Sequence, residues 1–268
     1  MQEIPPGLSL GMLQELHILT RDGRMNQDSG RKLKQVRHLY QFIEPLLREI
    51  QADHPAIKLV DHGAGKSYLG FIIADLFFRQ LGGDAHIYSI EARQELVAKS
   101  RDLAQRLGFS CMSFLGLTVT ESMDSNALPR TVDIVTALHA CDTATDDAIH
   151  MGLTSGAEII VCAPCCQHEL APQLETRNTP LAGLLKYGLL KQRQADLFTD
   201  AARGLLLEAQ GYEVLMIEFV STEHTAKNLM IAAVRSGRVD RKAAAEQYDK
   251  LAEIAGYSHQ RLKEALRE

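Results

Sequence analysis

A doubly wound α/β fold, with a Rossmann-like seven-stranded sheet whose last strand is antiparallel, is the class this sequence predicts. Three observations carry it. Apolar runs of strand length alternate with helical patterns from residue 57 onward, which implies a mostly parallel sheet covered by helices. The last two apolar runs are separated only by Ser221 to Lys227. That link is too short for the crossover a parallel pair needs, so those two strands must run antiparallel. A glycine-containing turn, Gly63-Ala64-Gly65, sits at the first strand-to-helix junction, where open α/β sheets bind their ligands.

The elements follow in order. Met12 to Leu19 is a short apolar patch in a mixed leader. A helix reads from Arg31 to Gln51, with Leu33, Val36, Tyr40, Ile43, Leu47 and Ile50 at helical spacing and a kink expected at Pro45. Asp28 and Ser29 stand before it as caps. Strands are expected at Ile57 to Asp61, His86 to Ile90, Ser110 to Leu115, Val132 to Leu138, Glu158 to Cys162, Tyr212 to Val220 and Asn228 to Val234. Helices are expected at Ser67 to Gln80, Arg93 to Leu107, Thr145 to Leu153, across Pro180 to Gln210, and in a charged tail from Arg241. The organisation reads as an N-terminal helical segment over 1–54, a main domain over 55–238 and a C-terminal helical tail over 239–268.

Composition bounds the function. A chain of 268 residues with 46% hydrophobic content can bury a core without staples. The net charge of −5 gives no global field for nucleic acid, so such a substrate would need a local basic patch. No leader peptide is visible, and the most apolar stretch, Leu69 to Phe78, is interrupted by Asp75 and falls short of the ~20 residues that cross a bilayer. Five cysteines, an odd count, argue against a disulfide framework. The expectation is a cytoplasmic protein with reduced thiols and no membrane partner.

The sharpest local signal is Val60-Asp61-His62-Gly63-Ala64-Gly65-Lys66-Ser67. A phosphate-binding P-loop would need glycine at Val60, and a nicotinamide fingerprint would need glycine at Tyr68. What fits is an acidic strand end followed by G-x-G. Glu91, at the end of the second strand, can accept hydrogen bonds from both ribose hydroxyls of a nucleoside cofactor. The bland alternative is a tight turn between solvated carboxylates.

Three segments occur in order: Asp61-His62-Gly63-Ala64-Gly65-Lys66-Ser67-Tyr68-Leu69, Leu138-His139-Ala140-Cys141-Asp142 with Thr145-Asp146, and Ala163-Pro164-Cys165-Cys166-Gln167-His168. Together they resemble a class I methyltransferase family that includes a eukaryotic tRNA 2′-O-methyltransferase, over roughly Arg31 to Arg235. The resemblance implies S-adenosylmethionine bound by Asp61, Gly63, Gly65, Lys66 and Glu91, with Thr118 and Leu138 completing the cofactor set. It also implies an acceptor pocket near His139 and Pro164 to His168. Two departures stand out: Ser67 replaces the usual third glycine, and Gly116, Leu117 and Thr118 replace the acidic residue that reads the adenine amino group.

The acceptor side is expected where the strand ends gather His139, Cys141 and Asp142 after strand four and Cys165, Cys166, Gln167 and His168 after strand five. The turn between the last two strands adds Glu223, His224, Lys227 and Asn228. His139 is the candidate base or positioning residue, with Cys165 and Gln167 beside it. Asp142, Pro164, Cys166, His168, Lys227 and Asn228 are the candidate acceptor contacts. A zinc site from Cys162-x-x-Cys165 and His168, closed by His139 or Cys141, competes for the same residues; it is ranked below a site without metal.

RNA ranks ahead of a small molecule or a protein as acceptor, on the resemblance alone. Two basic sets could track phosphates: Arg31, Lys32, Lys34, Arg37 and His38, and Lys186, Lys191, Arg193 and Arg203. A solvated helix face explains them as well. A non-catalytic cofactor-binding protein and a zinc-containing interaction protein stay open as rivals, as does a homodimer formed through the C-terminal tail.

Overall fold

The computed structural model describes residues 7–25, 27–53, 56–81, 83–138, 140–174, 179–219 and 228–267. Seven strands form one sheet in the order β3-β2-β1-β4-β5-β7-β6, the Rossmann-like arrangement expected, numbered along the chain as introduced below. The chain divides into two compact units at the boundary between Ile134 and Val135.

Unit 1 opens with α1 (Leu10–Glu15), a short helix not anticipated from sequence. Ser9 caps it by accepting a bond from the Met12 amide. Next comes α2 (Gln27–Asp53), longer than expected at both ends, with Pro45 inside it. Its stripe of Leu33, Leu39, Tyr40, Ile43, Leu47 and Ile50 is buried, as helical spacing dictates. β1 (Lys58–His62) leads into α3 (Tyr68–Ile73), which runs on through a π-helical turn, Ala74–Phe78, into α4 (Arg79–Leu81). β2 (His86–Ile90), α5 (Gln94–Leu107), β3 (Met112–Leu115) and the short α6 (Val119–Met123) complete the unit. β1 pairs in parallel with β2, and β2 with β3. Phe71 anchors this core, its ring 5.7 Å from Phe109 and 5.8 Å from Phe114.

Unit 2 takes up the chain within β4 (Ile134–Ala137) and continues with α7 (Thr143–Thr154), β5 (Ile159–Cys162), α8 (Ala182–Leu185) and α9 (Gly188–Ala209). β6 (Tyr212–Glu218) and β7 (Leu229–Arg235) follow, then α10 (Arg241–Ala255) and α11 (Arg261–Ala265). β7 is antiparallel to both β5 and β6, which is the reversal the short link required. The expected charged tail is α10 and α11; α10 packs on α9 and α11 on α7. Among the described residues no helix is long and apolar enough to cross a membrane.

Candidate functional site

The cofactor constellation lies within unit 1. Asp61, the penultimate residue of β1, is buried. The chain then turns through three left-handed residues, Gly63 (φ 64°), Gly65 (φ 58°) and Ser67 (φ 54°). Glycine meets that demand freely. Ser67 meets it with a side chain, and its hydroxyl shares a 2.8 Å hydrogen bond with that of Ser89 on β2. The departure at the third glycine position therefore keeps the glycine-like backbone.

Glu91 follows β2 and is nearly buried. Its carboxylate accepts the Gly65 amide at 2.8 Å and the Arg93 amide at 3.0 Å. The Arg93 guanidinium adds contacts at 2.8 and 3.3 Å. Burial opposes ionisation here, but the bonds from Arg93 and Gly65 outweigh it and hold the carboxyl below its ordinary range. Two motif elements 26 residues apart are thus joined by one hydrogen bond. Lys66 is exposed. Thr118 caps α6 in a reciprocal box with Glu121, which occupies its hydroxyl.

His62, within the same turn motif, is fully buried, and neither ring nitrogen has a hydrogen-bond partner. Burial drives its pKa down to about 3, so the ring is neutral. Sequence reading gave it no role; only its place inside β1 could have hinted that it points into the core.

The acceptor constellation lies within unit 2. Leu138 and Pro164 are buried, and the side chain of His168 is exposed. Asp142 takes a backbone conformation that side chains rarely adopt, φ 54° and ψ −129°. Its amide donates to the Cys166 carbonyl at 3.0 Å. Its carboxylate accepts the amides of His168 at 2.9 Å and Glu169 at 3.3 Å. Asp142 therefore clamps the segment after β4 to the segment after β5.

That clamp rests on a buried charge network. Arg203, on α9, is fully buried. It binds Asp146 through two contacts of 3.1 and 2.5 Å, the Asp142 carbonyl at 2.9 Å and Asp200 at 3.5 Å. Gln167, also buried, donates to both Asp200 oxygens at 2.9 and 3.0 Å. Gln260 adds a 2.7 Å bond to Asp146. Arg203 was grouped with a basic face open to phosphates, and its burial corrects that: its charge is spent on Asp146. Lys186 and Arg193 of the same set are exposed. The readable hint was Asp200, three residues before Arg203 on one helix face.

The clamp also gathers three thiols. The sulfur of Cys141 lies 3.2 Å from that of Cys165 and 3.6 Å from that of Cys166, and the last two are 3.6 Å apart. Cys162 is fully buried inside β5 and stands outside this trio. Burial, then the Cys141 and Cys166 thiols, pushes the Cys165 thiol up to about 12. As a free thiol it stays protonated at neutral pH and is a poor nucleophile. His139 and Lys227 lie outside the described residues, as do Glu223 and His224. Asn228 is buried at the start of β7.

Residues 31–173, just over half of the chain, match a family profile described as "Methyltransferase domain". A curated protein from Bos taurus, described as a glutathione S-transferase C-terminal domain-containing protein, is 22% identical over 242 residues. The match covers 81% of this chain but 35% of that protein, so the chain spans about a third of the length of the curated relative it matches. A solved structure from Klebsiella pneumoniae, described provisionally as an O-methyltransferase, aligns with a TM-score of 0.52 at 14% identity, over 88% of this chain and 93% of that one. That likeness shows the fold. Magnesium protoporphyrin IX methyltransferase from Synechocystis, solved with bound SAH, aligns at 0.47 and 17% identity, over 84% and 94%.

Proposed function

The chain belongs to the methyltransferase-domain family, with S-adenosylmethionine as its methyl donor, and from that premise we propose that it methylates an acceptor for which RNA is the leading class. The observation that carries the cofactor side is the Glu91–Gly65 hydrogen bond. It joins the acidic residue suited to ribose hydroxyls to the left-handed glycine turn suited to close backbone approach. In this reading Asp61, Gly63, Gly65 and Lys66 line the donor, Glu91 takes the ribose, and Thr118 flanks it.

Methyl transfer is a displacement at carbon. A lone pair of the acceptor forms the new bond, the carbon–sulfonium bond breaks, and S-adenosylhomocysteine leaves as a neutral thioether. The donor supplies the leaving group, so the protein's task is to hold and orient the nucleophile. The role proposed for His139 is to take the acceptor proton or position the acceptor, and Gln167, Cys165 and Pro164 form a stiff wall of the acceptor pocket. Asp142, Cys166, His168, Lys227 and Asn228 complete the acceptor side. Support for RNA is the family resemblance together with the exposed Lys34, His38, Lys186 and Arg193. The net charge of −5 confines any phosphate contact to such local patches. A cytoplasmic setting with reduced thiols completes the proposal.

The test is calorimetry with S-adenosylmethionine and S-adenosylhomocysteine. Wild type should bind both, and Glu91→Ala should weaken binding by roughly 10- to 100-fold, the scale of lost charge-assisted hydrogen bonds. Equal affinity in the variant would remove Glu91 from the site. Labelled donor offered with separate RNA, protein and metabolite pools then decides the acceptor; label confined to a non-RNA pool overturns the RNA reading.

A further inference from the structure

We propose that Cys141, Cys165 and Cys166 together hold a thiophilic divalent metal ion, zinc, through three thiolates.

Three sulfur atoms from two chain segments converge here. Their separations are 3.2, 3.6 and 3.6 Å. A tetrahedral zinc with Zn–S bonds of ~2.3 Å spaces its sulfurs about 3.8 Å apart. The Cys141–Cys165 pair therefore needs to open by about 0.6 Å and the other two pairs by about 0.2 Å to seat the ion.

The convergence is built in by the backbone. Cys141 and Cys165 are 24 residues apart in sequence. They meet because the Asp142 amide binds the Cys166 carbonyl and the Asp142 carboxylate binds the amides of His168 and Glu169. Arg203 fixes the Asp142 carbonyl, and the Thr145 hydroxyl fixes the Ala140 carbonyl at 2.6 Å. Ala140, Asp142 and Gln167, which flank the thiols, are held by bonds that do not use the sulfurs. Preorganisation of this kind keeps ligand atoms together before the ion arrives.

Access also fits. Cys141 is exposed and Cys165 and Cys166 are half-buried, so an ion can reach the three sulfurs. Among the described residues no histidine or carboxylate joins the trio as a fourth ligand.

The inference is independent of the methyl-transfer reading, since it needs only the three sulfurs. Metal content is measured on protein purified with reductant and passed through gel filtration, alongside absorption after cobalt(II) substitution. The expected result is about one zinc per chain and sulfur-to-cobalt charge-transfer absorption in the near ultraviolet. Cys141→Ser and Cys165→Ser should each abolish both signals, whereas Cys111→Ser, outside the trio, should leave them intact. Wild type without zinc and without cobalt–thiolate absorption overturns the proposal. So does zinc that persists in both serine variants, or a Cys141–Cys165 disulfide in the reduced preparation. Circular dichroism and S-adenosylmethionine calorimetry of the same samples separate the two readings: zinc retained without donor binding would sink the cofactor assignment and leave the metal site standing.

Discussion

In unit 1 the imidazole of His62 is fully buried and neither nitrogen has a hydrogen-bond partner. In unit 2 the equally buried guanidinium of Arg203 is bound by Asp146, by the Asp142 carbonyl and by Asp200. One unit tolerates a polar ring in its core by keeping it neutral; the other keeps a charge there by surrounding it with acceptors. The difference teaches where each half is vulnerable. A neutral orphan is sensitive to protonation, while a paired charge is sensitive to the loss of a partner.

The largest expected effect comes from breaking the pairing. Arg203→Leu leaves Asp146 and Asp200 buried without their cation, and the loss should be about 3–5 kcal/mol of stability, read by urea denaturation followed by circular dichroism. Arg203→Lys should recover only part of it, because a point charge cannot reproduce the two-pronged contact with Asp146. A loss below about 1 kcal/mol in Arg203→Leu would mean that the network is decoration rather than support.

Protonation probes the other half. The His62 ring has a folded-state pKa of about 3, against roughly 6.5 in the unfolded chain. Below pH 6.5 the unfolded state binds the proton and the folded state does not. Stability from this group is therefore complete above pH 6.5 and falls as pH drops toward 3, by about 2 kcal/mol at pH 5. His62→Leu should flatten that limb, so that wild type and variant diverge as pH falls from 7 to 5. Parallel pH profiles would show that the ring finds a proton acceptor in solution, and the contrast between the units would collapse.

The same contrast explains what the sequence disclosed. Strands β1 to β7 and the glycine turn were legible because side-chain period, β-branched content and left-handed backbone are local properties. The reversal of β7 followed from the length of one link. α1 and α6, at six and five residues, are too short to show a period. The thiol trio was legible only in part. Cys165 and Cys141 stood among the expected ligands, but Cys162 belongs to β5 and turns into the core, and Cys166 takes the third place. Cys166 is brought there with Cys141 through the Asp142–Cys166 backbone bond, a contact that no spacing rule contains. Arg203 was misplaced because a basic residue on a helix looks the same whether its partners are water or Asp146.

The smallest expected effect sharpens the comparison at a single residue. Ser67 sits at φ 54° and ψ 35° with no glycine to relieve it. Left-handed backbone costs a side-chain-bearing residue roughly 1–2 kcal/mol, which Ser67→Gly would return. Against that gain, glycine loosens the unfolded chain by about 0.4–1 kcal/mol, and the Ser67–Ser89 hydroxyl bond, worth about 0.5–1.5 kcal/mol, disappears. The opposing contributions are of similar size, so Ser67→Gly should shift stability by less than about 1 kcal/mol. Gly65→Ala, at φ 58° with an added Cβ in ordinary contact with Arg93 Nη2 at 3.9 Å and the Gly63 carbonyl oxygen at 4.0 Å, has strain and no compensating bond, and should destabilise by about 1 kcal/mol. A clear gain in Ser67→Gly would show that the turn stores strain. A clear loss would show that the serine pair locks it, making unit 1 as dependent on partnered polar groups as unit 2.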